Sequence, residues 1–262
     1  MGRIYTLANQ KGGVGKTTTA INLGAYLAQL GQRVLIVDID PQANASSSLG
    51  VDKQSVRGGS YEALLGLAPA ASLVLQNQRL NLSLLPSSPA LAGAEVELVN
   101  EMARELRLRQ ALEPLLGRYD YILIDCPPSL GLLTVNGLTA ARDGILIPVQ
   151  CEYLALEGLS QLTQTIQRVR AALFPELRVR GVILTMFDGR THLSADVVKE
   201  VNRYFPAQVF KTIVPRSVRL AEAPSYGLPI SAYAPTSIGA QAYEALAKEL
   251  LAGDGLTVPA AG

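Results

Sequence analysis

The stretch Asn9–Thr19, NQKGGVGKTTT, sets two lysines, Lys11 and Lys16, around glycines at 12, 13 and 15. Glycine permits the backbone conformations in which successive N–H groups wrap a phosphate, and a helix starting there adds a favourable dipole. Gly12, Gly13, Val14 and Gly15 supply that loop. Lys16 would neutralise β- and γ-phosphate oxygens, and the Thr17 hydroxyl would ligate Mg²⁺. The usual pattern, G-x-x-x-x-G-K-[ST], asks for glycine where this chain has Gln10. Lys11 is therefore a second cation, at the outer lip of the loop. Phosphoryl transfer needs positive charge on the γ-oxygens and the leaving bridge, often supplied in trans. A lysine at the lip is placed to serve a facing subunit.

Two acidic positions extend the same chemistry. Asp125 directly follows the apolar run Tyr121–Ile124, YILI, a layout suited to a carboxylate that holds Mg²⁺ through water. Asp38-Ile39-Asp40 follows a second apolar run. Its two carboxylates are expected to point to opposite sides, one to the metal and one to the attacking water. Both acids would lie at a sheet edge, where ligands bind in open α/β folds.

These residues need strands and helices to position them. Arg3–Ala8, Arg33–Val37, Leu80–Leu85, Tyr121–Ile124, Ile145–Val149, Val182–Thr185 and Val209–Ile213 read as strands. Thr17–Leu30, Glu95–Leu116, Leu156–Leu173, Leu193–Phe205 and Ser237–Leu251 read as helices, with a shorter one at Tyr61–Leu67. Buried strands alternating with amphipathic helices predict a single α/β domain over residues 1–251, its mostly parallel twisted sheet flanked by helices. The Gly/Pro/Ala-rich tail, residues 252–262, is expected to fray. Of 262 residues 48% are apolar and 17% charged, which excludes a largely disordered chain. Net charge is +1, so attraction to nucleic acid must come from local clustering. Two cysteines, Cys126 and Cys151, form no zinc spacing or disulfide framework, which fits a reducing cytosol. Gln10 and Lys11 interrupt the only early apolar run, so no signal peptide is expected. No run is long enough for a spanning helix.

Lys11–Thr18, VDIDPQ (Val37–Gln42) and ILIDCPPS (Ile122–Ser129) resemble the deviant Walker A, A′ and B motifs of the ParA/MinD superfamily of P-loop ATPases. MFDGRTHLS (Met186–Ser194) and IVPRSVRLAEAPSYG (Ile213–Gly227) resemble its chromosomal ParA branch, often called Soj. The resemblance implies weak Mg²⁺-dependent ATP hydrolysis and an ATP-driven homodimer that sandwiches two nucleotides, with Lys11 reaching the partner's phosphates. It implies that Asp40 positions the attacking water, Asp125 holds Mg²⁺ through water, Asp38 supports the metal shell and Thr18 contacts the α-phosphate. Pro215 and Arg216 are weaker candidates for adenine. No Asn-Lys-x-Asp guanine-reading motif occurs, consistent with ATP. Between Arg178 and Arg219 lie eight Lys/Arg and three Asp/Glu. Arg190, Lys199, Arg203, Arg216 and Arg219 are the candidates for sequence-independent contacts to double-stranded DNA. The resemblance further implies a ParB-type stimulating partner, a part in regulating replication initiation, and a nucleoid-associated place in the cytoplasm. Two rivals make different demands. A MinD-like membrane ATPase would want a basic amphipathic C-terminal helix, which AGDGLTVPAAG does not supply, so no membrane partner is expected. An iron–sulfur reductase like nitrogenase iron protein would want cysteine ligands at other places than Cys126 and Cys151.

Overall fold

The computed structural model describes residues 2–152 and 155–257. Its strands are β1 (Arg3–Leu7), β2 (Val34–Asp38), β3 (Leu75–Asn77), β4 (Leu82–Leu85), β5 (Tyr121–Asp125), β6 (Gly144–Gln150) and β7 (Val179–Thr185). They form one sheet in the order β3-β4-β2-β5-β1-β6-β7, parallel throughout except for the short edge strand β3. The helices are α1 (Lys16–Gln29), α2 (Asn44–Ser48), α3 (Ser60–Leu65), α4 (Ala70–Leu73), α5 (Leu91–Glu97), α6 (Arg107–Leu112), α7 (Leu132–Ala140), α8 (Ala155–Ala172), α9 (His192–Tyr204), α10 (Val218–Glu222), α11 (Ile230–Tyr233) and α12 (Ile238–Gly253).

Strand alternation divides the apolar side chains between two layers. Tyr5, Leu7, Val34, Ile36, Tyr121 and Leu123 join the core built with α1 and α12. Ile4, Leu35, Val37, Ile122 and Ile124 join the core under α3 to α7. Both faces are covered, which is why these strands are continuous apolar runs. A third cluster fills the space between β6, β7, α8 and α9. Helix α1 crosses the sheet closely at Gly24, where a Cβ would stand 2.6 Å from Ile36 Cδ1.

Besides short elements that the sequence did not mark (β3, α2, α4, α10 and α11), the structure departs from expectation at larger ones. The single helix expected over Glu95–Leu116 is broken: α5 ends at Glu97, Glu101 is extended, and Ala103 is left-handed at φ 51°. Pro114 then ends the run in a 3₁₀ turn. The freed backbone groups bond to α7 instead, with Leu108 N donating to Asn136 Oδ1 at 3.0 Å and Thr139 Oγ1 donating to Glu105 O at 2.6 Å. Leu98, Leu108, Leu112 and Leu115 still face inward, so the apolar period survived the break. Helix α7 itself was not expected, because LLTVNGLTA is apolar on nearly every side and has no polar face to reveal a period. The expected strand Val209–Ile213 forms no ladder: an isolated bridge pairs Val209 with Val182 of β7, with Phe210 N donating to Val182 O at 2.9 Å, and a second bridge, Phe187 with Pro215, lies beyond both segments. Finally, α12 runs on through Gly253, and Asp254 is buried against the starts of β1, β5 and β7. The closing helix thus ends two residues past the expected boundary at Leu251.

Candidate functional site

The carboxyl ends of β1, β2, β5, β6 and β7 meet at one edge of the sheet. The loop after β1 is anchored there on two strands: Asn9 Nδ2 donates to Pro148 O at 2.7 Å, and Thr185 Oγ1 donates to Val14 O at 2.8 Å. Lys11 N donates to Asn9 Oδ1 at 3.0 Å. Gly13 and Gly15 take φ of 75° and 89°, conformations that a side chain would strain. Gly15 is the N-cap of α1, which has no side-chain cap and no acidic residue in its first turn. The first N–H groups and the positive end of the helix dipole are thus left for an anion. Lys11 sits half-buried at the rim of this loop.

Lys16 is buried behind the loop and its Nζ donates to Lys11 O at 3.2 Å. Burial lowers its pKa, opposed by the nearby Asp125, Cys126 and Asp40. Thr17 Oγ1 donates to Asp125 Oδ2 at 2.7 Å, while Asp125 Oδ1 is buried with no hydrogen-bond partner. Burial, and then the neighbouring Asp38, push the Asp125 carboxyl well above the usual carboxylate range. A hydroxyl beside an under-partnered buried carboxylate is an oxygen-only set that fits a hard divalent cation. Among the described residues no three His, Cys, Asp or Glu side chains are grouped to hold a metal unaided. A cation here would share its shell with phosphate oxygens.

Asp38 pairs with Asp125 in register across β2 and β5. Its Oδ1 accepts from Asp40 N at 3.1 Å, and its Oδ2 accepts from Ser46 N at 2.8 Å and Ser46 Oγ at 2.7 Å. Burial nonetheless pushes its pKa up to about 6. The expected separation of Asp38 and Asp40 by strand alternation was mistaken, since residues two apart on a strand share a face. Strand β2 ends at Asp38, and the turn that follows sets Asp40 apart; Asp40 Oδ1 accepts from Gln42 N at 2.9 Å. Because its oxygens are engaged by protein donors, Asp38 looks toward the turn that it organises.

Thr18, Pro215 and Arg216 come together with Met186, Leu220 and Tyr243 around a cleft of ≈ 240 Å³ beside the loop. Sequence reasoning missed Thr185, Ser46 and Ser87 here; a serine or threonine at a strand or helix end carries no spacing signal. Most of the basic candidates are engaged by acids, and Arg190 and Arg216 both lie near Asp188. Arg190 is bound to Asp188 by two contacts of 2.7 and 2.8 Å, Arg216 pairs with Glu152, Arg219 with Glu222 at 2.9 Å, and Lys199 with Asp196 at 3.4 Å. Arg203 is exposed, with no ion pair among the described residues, near the far end of α9. It is roughly 16 Å along the helix from the site edge. Cys126 and Cys151 are free and buried, and burial pushes both thiols up. No helix among the described residues is long and apolar enough to cross a membrane.

A family model described as an AAA domain matches residues 2–179. The chain is 56% identical over 254 residues to the chromosome partitioning protein ParA of Myxococcus xanthus, covering 97% of this chain and 89% of that one. It is 54% identical over 252 residues to the sporulation initiation inhibitor protein Soj of Bacillus subtilis, covering 96% and 99%. Among solved structures, cobyrinic acid a,c-diamide synthase from Mycobacterium smegmatis, with bound ADP and magnesium, superposes with TM-score 0.86 at 38% identity over the whole of both chains. The septum site-determining protein MinD of Pyrococcus horikoshii, complexed with Mg-ADP, gives TM-score 0.74 at 29% identity, covering 98% and 100%.

Proposed function

The chain belongs to the ParA/Soj family of chromosome-partitioning ATPases, and we propose that it works as an ATP-switched dimer that holds DNA and is reset by hydrolysis. Its nucleotide is ATP and its metal Mg²⁺, as in the fold's ADP–magnesium complexes. The observation that carries this reading is the convergence of Lys16, Thr17, Asp40 and Asp125 on one buried edge behind a glycine loop.

The loop amides of Gly12–Gly15 and the start of α1 bind the phosphates, Lys16 neutralises their β- and γ-oxygens, and Thr18 lies at the α-phosphate end of the cleft. Thr17 and Asp125 would hold the metal, the carboxylate through water. A Mg²⁺ held there would supply Lewis-acid charge to the phosphates, leaving the terminal phosphorus more open to attack. Asp40 orients the attacking water. Asp38, engaged by the backbone of Asp40 and α2, acts on the metal only at a distance and mainly fixes the turn. Pro215 and Arg216, on the cleft wall, face the base. Lys11 crosses to the partner's phosphates, so each site is completed by the other subunit.

In the ATP dimer, two modest sets of basic residues combine to hold DNA phosphates without reading sequence. A ParB-type partner stimulates turnover, the protein acts in the cytoplasm on the nucleoid, and a link to replication initiation follows from the same kinship. DNA co-sedimentation at low salt tests the switch: the protein should pellet with ATP, not with ADP or without nucleotide. Arg190→Ala/Arg219→Ala should weaken binding several-fold and flatten its salt dependence. Equal pelleting in all three nucleotide states, or an undiminished double variant, would contradict the assignment.

A further inference from the structure

Two buried serines next to Asp40 have no task in the steps above. Ser87 follows the end of β4, and Ser46 lies in the first turn of α2; with Asp38, both are fully buried. Ser87 Oγ donates to Asp40 O at 2.7 Å, and Ser87 N donates to Ser46 Oγ at 2.9 Å. Ser46 Oγ donates in turn to Asp38 Oδ2 at 2.7 Å, and Asp38 Oδ1 accepts from Asp40 N at 3.1 Å. The circuit therefore closes on Asp40 from both sides, gripping its backbone carbonyl and its backbone N–H.

The strand behind this grip is itself fixed. Pro86 O, adjacent to Ser87, accepts from Ser60 N at 2.8 Å and from Ser60 Oγ at 3.3 Å, at the start of α3. Gly59 packs so closely there that a Cβ would lie 2.0 Å from Pro86 O. Parallel pairing of β2 with β4 brings the two strand ends side by side. The chain through Asp40 is otherwise a turn, the kind of segment that tolerates shifts of an ångström. A shift of that size in a group orienting a reactant can cost about a hundredfold in rate.

We propose that Ser87 and Ser46 are positioning residues for hydrolysis: with Asp38 they hold the Asp40 turn in register with the phosphate loop, without touching the nucleotide. This inference rests on the reading of Asp40 as the residue that orients the attacking water. Neither serine lies on the phosphate loop or the cleft wall, so the circuit should govern turnover and leave nucleotide affinity alone.

The test uses the full chain and steady-state phosphate release with ATP, alongside the affinity for a fluorescent ADP analogue. Ser87→Ala should lower kcat roughly tenfold or more, while nucleotide affinity stays within about twofold of wild type. Ser46→Ala, which removes both the acceptor of Ser87 N and a donor to Asp38, should do the same and serves if the first variant is unstable. In an Asp40→Ala background Ser87→Ala should cause no further loss, because the residue to be positioned is gone. An unchanged kcat accompanied by a lower melting temperature would overturn the proposal, as would parallel losses of kcat and affinity or additive losses in the double variant. Normal turnover by Asp40→Ala alone would instead overturn the underlying assignment of Asp40.

Discussion

Asp40 and Asp38 stand two positions apart yet face different demands. Asp40 is held through its backbone and spends one carboxylate oxygen on Gln42 N, whereas Asp38 is fully engaged and fully buried. Asp40→Ala should leave ATP binding intact and slow hydrolysis by about a hundredfold or more, read by phosphate release. Asp38 predicts a pH effect on the nucleotide-free protein. Its folded pKa, raised to about 6, exceeds the ordinary carboxylate value, so the native state binds the proton more tightly than the unfolded chain. Its contribution therefore falls as pH rises from about 4 through about 6. Asp38→Asn should lose this pH-dependent part: between pH 7 and pH 5, wild type should gain stability relative to the variant by an amount on the order of 1–3 kcal/mol. Melting curves at the two pH values check it, and a parallel response in both proteins would refute it. Residues at this scale were legible where chemistry dictates type and spacing: Gly-Lys-Thr after one strand, an acid after each of two others. Thr185, Ser46 and Ser87 were not, because a hydroxyl that braces a turn is defined by what lies beside it in space.

Secondary structure was legible wherever one apolar face met one polar face. Strands β1, β2, β4, β5, β6 and β7 and helices α1, α8, α9 and α12 lie close to their expected spans. Where both faces are buried, as in α7, no period marks the helix. Where buried residues continue across a break, as between α5 and α6, the period misleads. The closing helix shows what else periodicity hides. Asp254, just past α12, accepts from Tyr5 Oη and Tyr121 Oη at 2.8 Å each and from Arg180 Nη2 at 3.0 Å, and it pairs with Arg3. It latches the last helix to the amino ends of β1, β5 and β7, opposite the phosphate loop. Asp254→Ala would strand two arginines and two tyrosine hydroxyls in a largely buried cluster, at a cost of about 3–5 kcal/mol. Denaturant unfolding should show that loss, with nucleotide affinity in the folded variant little changed; stability within about 1 kcal/mol of wild type would dismiss the latch.

At the scale of the whole molecule, the proposed reading has one subunit supply a phosphate loop, a place for the metal and a residue to orient water. The proposed contribution of Lys11 is the one that requires a second subunit. The proposed link between nucleotide state and DNA rests on the same requirement, since the candidate basic residues are mostly paired with acids and two subunits would have to combine them. Solution mass of Asp40→Ala by size-exclusion chromatography with light scattering, without nucleotide, with ADP and with ATP, addresses this claim directly. Dimer mass with ATP alone, lost again when Lys11→Ala is added, is the predicted result. A monomer in all three conditions, or an ATP dimer that keeps its mass without Lys11, would contradict it.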